Sequence, residues 1–391
     1  MEQKMVYAGA GSTSFEQARK DLLHLANLDI KTERVRRATT RNGKARLALT
    51  RLLEQAFLEK PIPEQLRGGP ADQEAPPIAA VMCDGGRYQR FDRGEAKPES
   101  GSFWRESRVA CLLSMTAASY GNDPGSDLPD FLKDVSIAKK LAEIGQVQGE
   151  NPVAQKQTDQ DQDSPWERGE MLSKEVVASS RNWKEFGSQV ASQAWYRGFG
   201  KATHKVFVSD GSSAIEELQA AWFSDYTSVL DIMHALSYSL AAARAIHSDR
   251  DTAWQCYQQF ATWIWRGEVD QVIASLAEHQ QQLGEPPADA SESDPREIVR
   301  RSRVYYSNHR SRMNYPLYRE KGYPLTSSIM ESTVKQVSRR VKGTEKFWSS
   351  EGGEAVLQLR GDYLSTSDPM VAHWKRAIAA ANGFRTYRLS A

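Results

Sequence analysis

The sequence predicts an α/β protein: a mixed-sheet core preceded by a helical region and interrupted by a long all-helical insertion. Three observations carry that reading. Short apolar runs recur at 78–83 (IAAVMC), 103–115 (FWRESRVACLLSM), 204–210 (HKVFVSD) and 227–231 (TSVLD), with an alternating stretch at 87–92 (RYQRFD). Helical patterns lie between and after them, so the order over 78–231 is β-β-β-α-β-α-β. Residues 232–283 then read helical throughout and carry Trp254, Trp263 and Trp265.

The N-terminal region opens with Thr13 followed by Glu16, a capping-box spacing for a helix over 14–26. A turn at Asn27–Asp29 leads into a basic helical stretch, and two short helices so joined suit a helix-turn-helix placed in a major groove. Arg34, Arg36, Arg37, Arg41 and Lys44 would then face DNA; a solvated helical hairpin is the alternative. Residues 62–77 (IPEQLRGGPADQEAPP) read as a linker. Inside the core, 128–143, 167–199 and 211–222 read as helices, with a polar loop at 144–166. Further helices are expected at about 295–312, 328–342 and 352–366, after a Pro-, Ser- and acid-rich break at 284–296. The expected division is therefore a DNA-binding region 1–61, the linker, a first core part 78–231, an all-helical insertion 232–320, and final core helices with a basic tail at 321–391.

Composition narrows the class. The 391 residues hold 51 Lys plus Arg and 50 Asp plus Glu, a formal charge of +1. That total lacks the basic excess typical of nucleic-acid proteins, but it averages polarised pieces. Residues 31–51 carry eight basic residues and one acid, 121–170 eleven acids and five basic residues, and 335–346 five basic residues and one acid. There is no apolar run long enough for a membrane span or a secretory signal, and Cys83, Cys111 and Cys256 are too widely spaced for a zinc knuckle or a disulfide framework. A cytoplasmic, nucleoid-associated protein is expected.

The chemistry concentrates in three aspartates expected at strand ends: Asp84, Asp210 and Asp231. Strand-end carboxylates can converge in one cleft, where they repel and raise one another's pKa unless a cation compensates. Hard oxygen ligands suit Mg²⁺, with Mn²⁺ able to substitute, and two such ions suit phosphoryl displacement. Any one of these residues could equally be a turn or cap residue; Asp210 before Gly211-Ser212-Ser213 could simply cap the next helix. Taken together, acids on the first and fourth strands of a β-β-β-α-β-α-β order are the layout of an RNase H-like core. The third acid in that layout comes from a later helix, for which Glu331 is the candidate.

Longer stretches carry a resemblance: DGGRYQ (84–89), FWRESRVACL (103–112), VFVSDGSSAI (206–215), LDIMHAL (230–236), WQCYQQFATWIWRGEVDQVI (254–273) and the run 305–365 around MESTVKQVSRRVKGTEKFW. Over most of its length the chain resembles the DDE transposases of bacterial insertion sequences, ISKra type, related to the Mutator-like group. The resemblance implies that Asp84, Asp210 and Glu331 hold two Mg²⁺ ions activating first water and then a DNA 3′-hydroxyl, with Asp231 and His234 as an accessory D-x-x-H element. Consistent with this, Lys335, Arg339, Arg340, Lys342 and Lys346 after the glutamate would line the cleft facing phosphates, with a solvated basic face as the alternative; Arg87 would touch a phosphate or form a structural salt bridge. The three tryptophans would be core residues of the insertion, or one would stack on a flipped base. The partners implied are double-stranded DNA, as transposon ends and target, and a second copy in the DNA complex. The expected activity is binding of terminal inverted repeats with metal-dependent cleavage and strand transfer. The alternatives are an inactive or domesticated relative and a DNA-binding regulator. One departure stands out: the family's Pro-Ile-Gly-Ser-Gly before the glutamate is here Pro324-Leu325-Thr326-Ser327-Ser328, without the glycines that reach positive φ easily.

Overall fold

The computed structural model describes residues 1–92, 102–146 and 169–389. In chain order its elements are α1 (Glu2–Gly11), α2 (Phe15–Ala26), α3 (Thr32–Leu58), α4 (Ile62–Arg67), β1 (Ile78–Arg90), β2 (Trp104–Met115), α5 (Asp130–Lys133), α6 (Ile137–Gln146), β3 (Met171–Ser179), α7 (Trp183–Trp195), β4 (His204–Ser209), α8 (Ser213–Trp222) and β5 (Thr227–Leu230). Then follow α9 (Ile232–Ile246), α10 (Arg250–Trp265), α11 (Val269–Leu283), α12 (Pro295–His309), α13 (Tyr315–Glu320), α14 (Ser328–Val341), β6 (Phe347–Trp348), α15 (Ser350–Leu364) and α16 (Pro369–Leu389). From residue 147 to 166 the expected polar loop lies outside the described residues.

The chain is an α/β protein with a mixed sheet ordered β3-β2-β1-β4-β5, to which the short β6 adds beside the far end of β1. β1, β2 and β3 pair antiparallel, whereas β4 runs parallel to β1 and β5 parallel to β4. Side chains alternate between the sheet's faces. Ile78, Ala80 and Met82 meet the helices that follow β5, together with α14; Ala79, Val81 and Cys83 meet α7, α8 and Phe57 of α3.

The expected β-β-β-α-β-α-β order changes: α5 and α6 fall between β2 and β3, which gives β-β-α-α-β-α-β-α-β, and two strand assignments differ. IAAVMC and RYQRFD are one strand: β2 pairs with β1 from Ile78 through Gln89, so Asp84-Gly85-Gly86 stays within the ladder. The third strand comes instead from 171–179, which had read as helix. Leu172 and Val176 stand four apart as on a helix face, and the polar residues between them mask the alternation. The stretch 232–283 is three helices separated by short turns, and Trp265 is buried with its indole N–H on the Gly125 carbonyl, 2.7 Å away. Trp254 and Trp263 pack half-buried against the same core, which fits the structural role among the two considered.

The N-terminal region departs furthest from expectation. α2 is capped by Ser14, whose hydroxyl accepts from the Gln17 amide at 3.0 Å, one residue later than Thr13. α1 precedes it, its small and glycine-rich face giving little sequence signal. The following basic helix is no short recognition helix: α3 has 27 residues, about 40 Å at 1.5 Å per residue. Its inward face carries Thr39, Asn42, Arg46, Thr50 and Glu54 among the apolar residues, so periodicity alone does not expose it. That face lies on α15 and α7, locking the region to the core. Arg46 donates from Nε and Nη2 to Asp362 at 2.8 and 3.1 Å, with both side chains nearly buried. The expected linker is packed as well: the Trp195 indole donates to Glu64 O at 3.0 Å, and Lys201 Nζ donates to Pro70 O and Gln73 O.

Gly43 is where α3 comes closest to α15: a Cβ there would lie 2.4 Å from the Ala355 carbonyl oxygen. Gly43→Ala gains about 1 kcal/mol in helix propensity yet forces two backbones apart. The expected net result is a loss of about 2 kcal/mol, read as a lower urea midpoint at unchanged slope. An increase in stability would show that this contact is looser than described.

Candidate active site

Strand register brings the acids together. The last β1–β4 pair is Met82 with Val208, so Asp84 and Asp210 each lie two residues further along adjacent parallel strands. The last β4–β5 pair is Ser209 with Leu230, which sets Asp231 level with Asp210. Asp84 is not at a strand end; β4 ends beside it, and that opens the space in front of its carboxylate. α14 lies across β1 and β2 on the face that carries Met82, burying Met330, Val337 and Val341 there, and Glu331 sits in its first turn.

The carboxylates are held differently. Asp84 Oδ1 accepts from the Gly85 amide at 2.6 Å, and Asp210 Oδ1 from the Ser212 amide at 2.9 Å. The Glu331 carboxylate makes no hydrogen bond within the described residues, although its backbone N–H donates to Ser327 O at 3.1 Å. Asp231 is fully occupied: Oδ1 caps α9 through the Met233 amide at 2.7 Å, and Oδ2 accepts from both the amide and the hydroxyl of Ser327. Being 1 % exposed, Asp231 is a strut between β5, α9 and the turn before α14.

The electrostatics record the crowding. Burial, then Asp210, pushes the Asp84 carboxyl up to about 7, opposed by the Gly85 N–H and His234, with Glu331 adding to the rise. Burial and Asp231 also raise Glu331, against His234, Lys335 and Lys140. His234 answers this negative field. Burial disfavours its charge, yet Asp231, Asp210 and Glu331 together lift it to about 9. In turn Asp231, despite complete burial, is held down at about 2 by His234 and Ser327. The imidazole Nδ1 lies 3.5 Å from Asp231 Oδ2, at the long edge of hydrogen-bond reach, where both the contact and the opposite charges favour the imidazolium. Asp231→Asn is expected to drop the His234 pKa from about 9 toward or below its ordinary 6.5, followed as the pH titration of its imidazole proton resonances. An unmoved titration would mean that Asp231 does not hold the imidazolium.

Whether these residues suit the Mg²⁺ implied above can be tested on the site itself. Among the described residues no group of three His, Cys, Asp or Glu side chains stands in a formed metal-holding arrangement. The donor chemistry nevertheless fits. Asp84 and Asp210 each commit one oxygen to a backbone N–H, Glu331 commits none, and the mutual repulsion raising Asp84 is what a hard divalent cation would remove.

The basic residues divide. Arg34, Arg36, Arg37, Arg41 and Lys44 are exposed on α3, but Arg36 and Arg37 pair with Glu33, Arg41 with Glu2 and Lys44 with Glu351. Lys335 and Arg339 are exposed on α14, while Arg87 and Lys342 lie near one another at the edge of β1. Arg340 differs: it is 1 % exposed, donates from Nε to Gly9 O at 2.9 Å and lies between Phe15 and Trp348. It clamps the N-terminal helices and does not line the acidic site.

Two features escape the sequence reading. The first is a clamp from the insertion onto the Asp210 turn. Tyr305 donates to Asp210 O at 3.0 Å, buried Arg312 reaches Ser209 Oγ at 2.6 Å and also Glu216, and His309 Nδ1 lies 3.0 Å from Glu216. Gly211 takes φ +90° there, and a Cβ on it would come within 2.8 Å of the His309 ring. Spacing places 305, 309 and 312 on one helical face, a signal indistinguishable from an ordinary core stripe. The second is the 324–328 turn. Every residue in it has negative φ, so the missing glycines impose no strain, and Ser327 supplies the two hydrogen bonds to Asp231. No helix among the described residues is long and apolar enough to cross a membrane. No protein-family profile and no curated protein matches the chain.

Proposed function

We propose that the chain is a DNA transposase of the DDE type, with an RNase H-like core that cuts and joins the ends of its own insertion sequence. The observation that carries this reading is the row of Asp84 and Asp210 on adjacent parallel strands, overlaid by Glu331 from α14 on the same face. In this reading Asp84, Asp210 and Glu331 hold the divalent metal, which supplies activation of the attacking oxygen and charge neutralisation at phosphorus. The chain's own contribution is positioning. Tyr305, His309 and Arg312 fix the Asp210 turn, while Asp231 and Ser327 fix the start of the Glu331 helix. His234 keeps a positive charge facing the acids.

DNA binding without chemistry is the second reading, and on its side is the absence of a formed metal-holding group among the described residues. Incubation with DNA carrying the element's ends and Mg²⁺ separates the two. Cleavage that Glu331→Gln abolishes while binding persists supports the transposase. Binding without cleavage in either Mg²⁺ or Mn²⁺ supports the alternative, and cleavage that survives Glu331→Gln removes Glu331 from the metal-holding set.

A further inference from the structure

A second, basic cleft lies away from the acidic row. It has a volume of about 460 Å³ and is bounded by α2 and α3 on one side and by β6 and the start of α15 on the other. Arg340 forms part of its wall. That guanidinium is almost wholly buried, its Nη2 has no hydrogen-bond partner among the described residues, and the charged neighbours acting on it, Arg360 and Lys346, are cations. A buried cation with no matching anion is costly. Lys346, on the same wall, donates only to carbonyl oxygens, Thr13 O at 2.9 Å and Arg339 O at 3.3 Å. Arg36 and Lys44 face them from α3. Their partners Glu33 and Glu351 are solvent-exposed ion pairs that cost little to exchange for another anion. Glu345 and Glu351 are the acids in the cleft, and they keep it from being uniformly positive.

Flat apolar surface adjoins this charge. Phe347 is 49 % exposed and meets Phe103 edge-on at 5.5 Å; Phe103 in turn meets Phe91 at 5.5 Å. An exposed aromatic beside unneutralised cations offers a stacking surface and a phosphate site at once, the pairing that recognises unpaired nucleic acid. A duplex keeps its base faces covered and could use only the charge.

We propose that this cleft binds one nucleotide unit of an unpaired DNA strand, with its phosphate held by Arg36, Lys44 and Lys346 in front of Arg340 and its base stacked on Phe347. The proposal rests on the reading that the chain handles DNA, but not on the acidic row.

The test uses the full chain and fluorescence anisotropy of a labelled oligothymidylate, against a duplex of equal length. Phe347→Ala is expected to weaken oligothymidylate binding about tenfold and to leave duplex binding unchanged. The double variant Arg36→Ala, Lys44→Ala is expected to weaken it further and to flatten its salt dependence by the loss of about one phosphate contact. Thymidine monophosphate should displace the strand better than inorganic phosphate does. Unchanged binding in both variants, an equal loss for duplex in Phe347→Ala, or equal displacement by the two competitors would each overturn the proposal. Single-strand binding that depends on Phe347 in a protein that never cuts would uphold the cleft and defeat the transposase reading; end cleavage with variants that bind normally would do the reverse.

Discussion

Asp84→Asn is expected to abolish metal-dependent strand cleavage, by at least about a thousandfold, and at the same time to stabilise the metal-free protein. The two effects share one cause. Burial and the charges of Asp210 and Glu331 hold the Asp84 carboxyl at about 7 against an ordinary 3.8. Between those values the folded chain keeps a proton that the unfolded chain releases. Stability therefore falls as pH rises from about 4 to about 7 and levels off above. The penalty is on the order of 2–4 kcal/mol at neutral pH, toward the lower end for a half-buried side chain. In chelator, Asp84→Asn should remove that slope and unfold at higher urea than the parent at pH 8. Mg²⁺ should reverse the ranking by stabilising the parent and not the variant. A parent whose stability is indifferent to Mg²⁺, with a variant no more stable in chelator, would show that Asp84 neither bears the repulsion nor holds the metal.

The acidic row was legible in the sequence because its logic is local: an apolar run, then Asp, three times over. What periodicity could not show is which strand continues. Asp84 was expected at the end of β1, whereas β1 runs on as a ribbon with β2 and it is β4 that stops. Both arrangements place the carboxylate at an opening, although in the structure it is β4 that ends there. Asp231 looked like the other two. Its role depends on Ser327, 96 residues further on, and no short-range pattern reports that contact. The basic run after Glu331 could have been divided: Thr333, Val337, Arg340 and Val341 share one helical face, which marks Arg340 as inward beside outward Lys335 and Arg339. α3 hid its docking face behind polar residues, which is why it read as a free DNA-reading helix. The basic excess of α3 is offset only in part: Glu33, inside the segment, serves both Arg36 and Arg37, while Glu2, Glu351 and Asp362 from outside it meet Arg41, Lys44 and Arg46.

The largest stability loss is expected from Arg319→Met. Arg319 is wholly buried on α13; it donates from Nε to Asp123 Oδ1 at 2.7 Å and from Nη2 to Oδ2, from Nη1 to Trp265 O at 3.0 Å, and its guanidinium lies 4.3 Å from the Trp265 ring centre. One side chain thus ties the segment before α5 to the end of α10 and to α13, three pieces that meet nowhere in sequence. Met fills much of the volume but takes the guanidinium from the Asp123 carboxylate, which keeps the Gly125 N–H, and from the Trp265 carbonyl. Removing one partner of a buried pair costs about 3–5 kcal/mol. Asp123 keeps some exposure to water, which puts the expected loss near 3. Adding Asp123→Asn should restore part of it by removing the stranded charge. The pH dependence supplies a separate check. Although burial opposes it, Arg319 holds the Asp123 carboxyl below its ordinary 3.8, so the pair stabilises the fold above that value and the contribution fades as pH falls through the lowered one. Arg319→Met should shrink that acid-side decline to the part that the Gly125 N–H, donating to Asp123 Oδ1 at 3.1 Å, supplies. A variant that lost stability equally at pH 7 and below pH 3 would point to packing against Trp265, and not the ion pair, as what Arg319 contributes.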